Sequence, residues 1–229
     1  MSRTIHIVFN NAVFATLILT LLGCGASGGT IAGLLPAPKI LKGFIKNNIY
    51  HEPNDLFIIT VPFNSDTYEY NFMEIKERYQ SNQAYVSFGP AAINKSIYRV
   101  EISLKPDHTP LAIEDIEDSV LKTYIQQLDY GLGTEPEPVT SKSITINGNK
   151  ARHHIFTHIV PAGLYSSNTQ TTLVHNAYLI DYGHAAGLIW VQMEEQPRRD
   201  IDSMSPIDFA KSLIVQPNKA LQPTAKGGG

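Results

Sequence analysis

The chain has 229 residues, of which 43% are hydrophobic and 17% charged, and its formal net charge is −3 at pH 7. This composition is typical of a folded domain with a lightly charged surface, and the slight negative net charge argues against a nucleic-acid binder, which needs a basic face to neutralise phosphates. Its single cysteine, Cys24, excludes an intrachain disulfide.

The first 23 residues have the organisation of a secretory signal peptide. Residues 1–11 contain Arg3 and no acidic residue, and residues 12–22, AVFATLILTLL, form an apolar run. The run matches the apolar segment of a signal peptide, but it is too short to cross a hydrocarbon core of about 30 Å, which needs about 20 residues. The sequence therefore predicts a signal peptide over residues 1–23.

The apolar run ends in Leu21-Leu22-Gly23-Cys24. This segment resembles the lipobox of bacterial lipoproteins, in which an aliphatic residue and a small residue precede a cysteine. Leu22 is a departure, because a small residue is commoner at that position. The resemblance implies that the sulfur of Cys24 receives a diacylglycerol, that the signal is cut before Cys24, and that the new amino group is acylated.

Two other interpretations of Cys24 stay open. In the first, Cys24 is incidental and residues 24–26 are the small-residue motif of an ordinary cleavage site. In the second, the apolar run is an uncleaved anchor. Both keep the chain in the secretory pathway but remove the lipid.

Residues 24–47 are predicted to be a flexible tether between the lipid and the domain, because they include the stretch GASGGTIAG. Gly25 follows the cysteine where many inner-membrane lipoproteins have Asp. By analogy with that sorting pattern, the outer membrane is favoured over the inner membrane.

Residues 48–216 are predicted to form a single domain, and residues 217–229, PNKALQPTAKGGG, a disordered tail without an apolar face. Alternating or continuous apolar residues predict strands at 56–61, 68–72 and 98–104, and in two later hairpins. The first hairpin is centred on Asn147-Gly148, the strongest hairpin signal, and the second on residues 182–184, which the predicted strands 171–181 and 185–194 flank.

Two helices are predicted in this domain. The first follows Thr109-Pro110, begins with acidic residues that complement the helix dipole, and ends before Gly131. The second begins at Ser205-Pro206, and its apolar residues are Phe209, Leu213 and Ile214.

This order of elements predicts an α+β domain, a mainly antiparallel sheet with helices packed on it. NDLFIITVP, the acidic start of the first helix, INGNKARHHIFTHIV and GHAAGLIWVQME resemble the PsbP/Mog1-like α-β-α sandwich. Members of that fold are mostly non-catalytic binding and assembly proteins, so the resemblance implies a binding role. Fold alone does not assign a function.

The stretch ARHHIFTH is the chief candidate for chemistry. The β-branched and aromatic residues between its histidines favour a strand, on which positions four apart lie about 13 Å from each other, too far for one metal ion. On such a strand His153 and His154 point to opposite faces. A metal site could form only across strands, for instance from His154 and His175, depending on the register. We expect no metal at the candidate histidines, which are His153, His154, His158, His175 and His184.

No phosphate-binding loop is present in the sequence. The matches to the dinucleotide fingerprint (Gly23, Gly25 and Gly28) and to the nucleophile elbow (residues 25–29) lie at the predicted cleavage site and in the tether, not between a strand and a helix, so they are in the wrong context for either motif. The sequence therefore predicts a non-enzymatic envelope lipoprotein, without cofactor, that binds the membrane through Cys24 and takes an envelope protein as its partner. The alternative is an envelope hydrolase or metal-dependent enzyme that uses the strand histidines.

Overall fold

The computed structural model describes residues 42–66, 68–71, 73–80, 82–89, 96–105, 113–114, 117, 121–123, 140–162, 169–195 and 203–216. All of them belong to one unit, residues 40–229. The predicted signal peptide, Cys24, most of the predicted tether and the predicted tail lie outside the described residues. No helix in the described ranges has the length and apolar character needed to cross a membrane.

Strands dominate the described chain. Residues 113–114, 117 and 121–123 are helical, in agreement with the first predicted helix. The elements with continuous bounds are β1 Phe44–Lys46, β2 Ile49–His51, β3 Phe57–Thr60, α1 Tyr68–Asn71, β4 Ile75–Tyr79, β5 Gln83–Phe88, β6 Ile97–Leu104, β7 Thr140–Ile146, β8 Asn149–Val160, β9 Thr171–Asp181, β10 Ala185–Glu194, α2 Pro206–Ser212 and β11 Ile214–Val215.

The strands form two antiparallel sheets. The large sheet has seven strands in the order β4-β5-β6-β10-β9-β8-β7, and the small sheet has four in the order β1-β2-β3-β11. The β7–β8 turn has left-handed backbone angles at both Asn147 (φ 50°) and Gly148 (φ 82°), which suits the twist of a two-residue hairpin. The two predicted hairpins are therefore confirmed.

The predicted fold class is wrong. Among the described residues, strand accounts for 59% and helix for 12%, and the strands are divided between two sheets. The chain is therefore a mostly antiparallel two-sheet protein, and the PsbP/Mog1-like α-β-α sandwich is withdrawn. The physical reason is that the small sheet packs on the face of the large sheet where helices were expected.

The core lies between the two sheets. The small sheet contributes Tyr50 and Ile59, and the large sheet contributes Phe88 and Ile189, all fully buried in one hydrophobic cluster. The ring of Tyr50 meets that of Phe88 edge-on, with centroids 5.5 Å apart. Aromatic pairs favour this arrangement, so the two sheets are joined by directional as well as hydrophobic contacts.

Helix α2 closes the same core. The side chain of Ser205 accepts a hydrogen bond from the backbone N–H of Asp208, which confirms the predicted start of this helix. The ring centroid of Phe209 lies 5.0 Å from that of Tyr98 and 6.3 Å from that of Phe88. The predicted membership of Ile214 in this helix is wrong, because the chain leaves the helix at Leu213 and Ile214 pairs with Ile58 in β11.

Two short elements near the start of the domain, α1 and β1, were not predicted. Tyr68 and Tyr70 were expected on a strand but lie in the four-residue helix α1; an alternation over three positions is too short to exclude one helical turn. Strand β1, Phe44–Lys46, lies in the last residues of the predicted tether, and the predicted boundary at Asn48 falls in the β1–β2 turn.

Two glycines allow a matched test of backbone strain. Gly89 and Gly183 both have left-handed φ, 104° and 79°, but a Cβ at Gly89 would collide with the carbonyl oxygen of Ser96, whereas one at Gly183 would meet nothing within 4 Å. Gly183→Ala should cost about 1–2 kcal/mol for its φ alone. Gly89→Ala should cost clearly more in chemical denaturation, and equal costs would contradict this geometry.

Candidate functional site: the histidine strands

The register of β8 and β9 places three of the candidate histidines on one face of the large sheet. His154 lies opposite Ala177, His158 opposite Leu173, and His175 opposite Phe156. Since successive strand residues point to opposite faces, these side chains share the face that turns away from the small sheet. We call it the histidine face. His153 points to the opposite face, as predicted.

The centre of the histidine face is closed to solvent. His158 and His175 are both 0% exposed. Nε1 of Trp190 donates a hydrogen bond to Nδ1 of His175 at 3.2 Å, and the ring of Phe156 stacks on the His175 ring with centroids 4.7 Å apart. The ring of His158 lies 6.1 Å from that of His175. His175 is thus a packed member of an aromatic cluster.

The charge state of His175 follows from this packing. Burial, together with the nearby His158 and Arg99, lowers the pKa of His175 to about 3. Its imidazole is therefore neutral near pH 7. Because Nδ1 accepts from Trp190, the ring proton lies on Nε2. The lone pair that a general base would use is already engaged, so His175 is poorly suited to proton transfer.

His154 belongs to a polar cluster at the edge of the same face. Its Nδ1 lies 2.6 Å from Oγ of Ser141, and its Nε2 lies 3.1 Å from Oε1 of Glu117. Arg152 Nε lies 3.1 Å from both carboxylate oxygens of Glu117, and its Nη1 donates to Ser143. Glu117 is helical, so this cluster fastens a helical segment to β7 and β8.

His153 and His184 lie apart from these clusters. His153 stacks on Tyr178 with centroids 4.3 Å apart, and its Nε2 lies 3.0 Å from Oδ1 of Asn176. Burial and Lys142 lower the pKa of His153 although the Asn176 contact raises it. His184 lies in the β9–β10 turn, beyond the end of β9 at Asp181. Asp181 lies six positions after His175, about 20 Å along a strand.

The register also shows how the two histidines considered for a metal site across strands are placed. His154 and His175 are diagonal neighbours on one face, but His154 is directed to Ser141 and Glu117, whereas His175 lies against Trp190 and Phe156. In the part of the chain that the structure describes, no three His, Cys, Asp or Glu side chains are grouped as metal ligands. His175 packs against aromatic rings, and His154 contacts side chains of β7 and of the helical segment.

Sequence reasoning missed the role of Glu117. The acidic residues of the first helix were interpreted as partners of the helix dipole and of solvent, yet Glu117 is bound to Arg152. A signal was available, because Glu117 lies four residues after the buried Ile113 and so shares its side of the helix. An acidic residue on an apolar stripe predicts a basic partner on the surface beneath it.

Comparison with known proteins adds little to this geometry. No protein-family model and no curated protein matches the chain. A crystal structure from Bacteroides thetaiotaomicron VPI-5482, solved at 1.50 Å, is similar with a TM-score of 0.44 and 8% identity, over 75% of this chain and 49% of that one. The chain thus spans about half the length of that protein. A likeness of this size establishes neither a shared fold nor a shared function.

Proposed function

We propose that this protein is a lipid-anchored protein of the bacterial envelope whose domain binds a partner protein or assists its assembly without catalysing a reaction. The anchor is the diacylglycerol on Cys24, implied by the lipobox resemblance of Leu21-Leu22-Gly23-Cys24. The outer membrane is the favoured location because Gly25 replaces the Asp of inner-membrane sorting.

The observation that supports a non-catalytic domain is the burial of the residues on which the enzyme alternative depends. His158 and His175 are 0% exposed and His154 is 1% exposed. The lone pair of His175 Nδ1 is used by Trp190, and His154 lies between Ser141 and Glu117. A substrate would have to break these contacts before it could reach an imidazole.

A lipid anchor is physically sufficient to hold such a domain at a membrane. Each buried methylene contributes roughly 0.8 kcal/mol, so a single acyl chain binds only marginally whereas two or more bind stably. The diacylglycerol and the amide-linked chain together exceed that threshold. Membrane attachment of the domain then needs no spanning helix.

Replacement of the acylated cysteine tests the anchor. We expect Cys24→Ala to abolish incorporation of a palmitate analogue and to leave the chain either released from membranes or unprocessed, because no thiol remains to be acylated. Leu22→Ala is the matched control; it supplies the small residue that is commoner at that position and should preserve labelling. Membrane association and apparent mass that are unchanged in Cys24→Ala would contradict the proposal.

A further inference from the structure

A row of four side chains crosses the whole small sheet on its outer surface. Phe44 lies opposite His51, His51 opposite Ile58, and Ile58 opposite Ile214. Directly opposed residues project to the same side of a sheet. The alternate residue Tyr50 is buried in the core between the sheets, so the row faces away from that core. We call Phe44, His51, Ile58 and Ile214 the outer row.

The ends of the outer row are unusually exposed. Phe44 is 54% exposed and Ile214 is 52% exposed, and they are two of the three large hydrophobic side chains that are exposed in the described chain. The Phe44 ring stacks flat on His51, with centroids 4.7 Å apart and planes 2° apart. Isolated exposed apolar residues are ordinary, but a registered row over four strands indicates a contact surface.

The charge around the row identifies the kind of surface it fits. Lys42 and Lys46 are both exposed and flank Phe44 at a spacing of two residues; Lys46 lies on the same side of β1 as Phe44, and Lys42 lies just before the strand. The four strands of the small sheet contain no acidic residue. An apolar row bordered by lysines suits an anionic lipid surface, where rings enter the headgroup region and lysines extend to phosphates.

The position of the small sheet in the chain favours the same occupant. Its first strand begins at Phe44, 20 residues after Cys24. A fully extended chain of that length reaches about 70 Å at most, so an acylated Cys24 keeps the sheet near the bilayer. Tethering supplies an effective concentration in the millimolar range, and even a weak surface is then occupied.

We propose that the outer row and its two lysines rest on the anionic bilayer to which the protein is anchored. This inference depends on the proposed lipid anchor. It goes further because it fixes the orientation of the domain: the small sheet faces the lipid, and the histidine face of the large sheet, which turns away from the small sheet, lies on the aqueous side where a protein partner would bind.

Site-specific labelling tests the orientation. Full-length lipidated Ile214→Cys is compared with Thr145→Cys, which places the thiol at an exposed position of β7. Each is labelled with a thiol-reactive environment-sensitive dye and reconstituted into phosphatidylethanolamine–phosphatidylglycerol vesicles. Because surface-bound apolar groups enter the interface by roughly 5–10 Å, iodide should quench position 214 at least about threefold less than position 145. Brominated lipid should quench only position 214.

The controls separate failure of the orientation from failure of the anchor. Wild-type protein should take up no dye, because its single cysteine is acylated; labelling of the wild type would overturn the anchor itself. An unlabelled wild type combined with equal iodide quenching at the two positions would overturn the orientation alone. Protection of position 214 in detergent micelles that increases with protein concentration would show a second copy of the chain on this face, and would also overturn it.

Discussion

Acidification from pH 7.5 to pH 5 should remove about 2 kcal/mol of unfolding free energy through His175 alone. The expectation follows from the pKa of this histidine, which burial, His158 and Arg99 lower to about 3. In the unfolded chain the same imidazole returns to its ordinary pKa near 6.5. Below that pH the unfolded state binds the proton and the folded state does not, so stability falls as the pH decreases.

Other titratable groups also change the free energy of unfolding between pH 7.5 and pH 5, so the effect of His175 is measured against a variant that lacks it. His153, whose pKa is lowered mainly by burial, acts in the same direction. Glu52 acts in the opposite direction, because burial raises its pKa despite the hydrogen bonds from Leu56 and Asn54 that lower it. Both are present in the wild type and in His175→Asn, so their effects cancel in the difference between the two proteins.

We expect His175→Asn to be less stable than the wild type at pH 7.5, because it loses the ring packing against Phe156. The difference should shrink by about 2 kcal/mol at pH 5, since the variant has no imidazole to protonate at this position. Denaturant titrations followed by the emission of Trp190, the single tryptophan, report both values. A constant difference across this pH range would contradict the assignment of a buried neutral imidazole.

Truncation of Phe209 to alanine should cause a large loss in the free energy of unfolding. Phe209→Ala is expected to cost about 3–5 kcal/mol, because the ring is fully buried and its removal leaves a cavity against Tyr98 and Phe88. A typical domain is stable by only about 5–15 kcal/mol, so this loss is a large fraction of the total free energy of unfolding. Urea denaturation followed at Trp190 measures this loss.

Ile214→Ala is the control for Phe209→Ala, because it removes an apolar side chain five residues later that is 52% exposed. Its cost should stay below about 1 kcal/mol, since little apolar surface returns to water. A cost comparable to that of Phe209→Ala would show that Ile214 is buried, and would remove the outer row as a free surface. The pair therefore tests the core and the lipid-facing surface together.

Much of the large sheet could be predicted from the sequence. Residues 171–181 and 185–194 were predicted as the strands flanking residues 182–184, and these are the observed bounds of β9 and β10. The prediction succeeded because long strands contain several repeats of the two-residue period, and because Asn147-Gly148 specifies a tight hairpin turn. The opposite orientations of His153 and His154 followed from the same period.

The small sheet could not be predicted in the same way. Strand β11 has two residues and strands β1 and β2 have three each, so none contains a full pattern. Their pairing joins residues from the two ends of the domain, such as Ile58 and Ile214. Local periodicity contains no information about such distant partners, and Ile214 was therefore assigned to the helix that precedes it. This omission is what made the predicted fold class wrong.

The candidate site shows the same division between local and distant information. The histidines and their strands were recognisable from residues 151–158. The groups that occupy their ring nitrogens, however, belong to Trp190, Ser141 and Glu117. These partners lie on other strands or on a helical segment. The register of β9 with β10 places Trp190 near His175, the register of β7 with β8 places Ser141 opposite His154, and the helical segment adds Glu117.

The central claim, a lipid-anchored protein without a catalytic metal, is tested most directly by the mass of the protein extracted from its own membranes. Under denaturing conditions we predict the mass of residues 24–229 plus a diacylglyceryl group on Cys24 and one amide-linked acyl chain. Under native conditions we predict no stoichiometric zinc or copper in addition. An unmodified or unprocessed chain would contradict the anchor, and one bound zinc or copper ion per chain would contradict the non-catalytic domain.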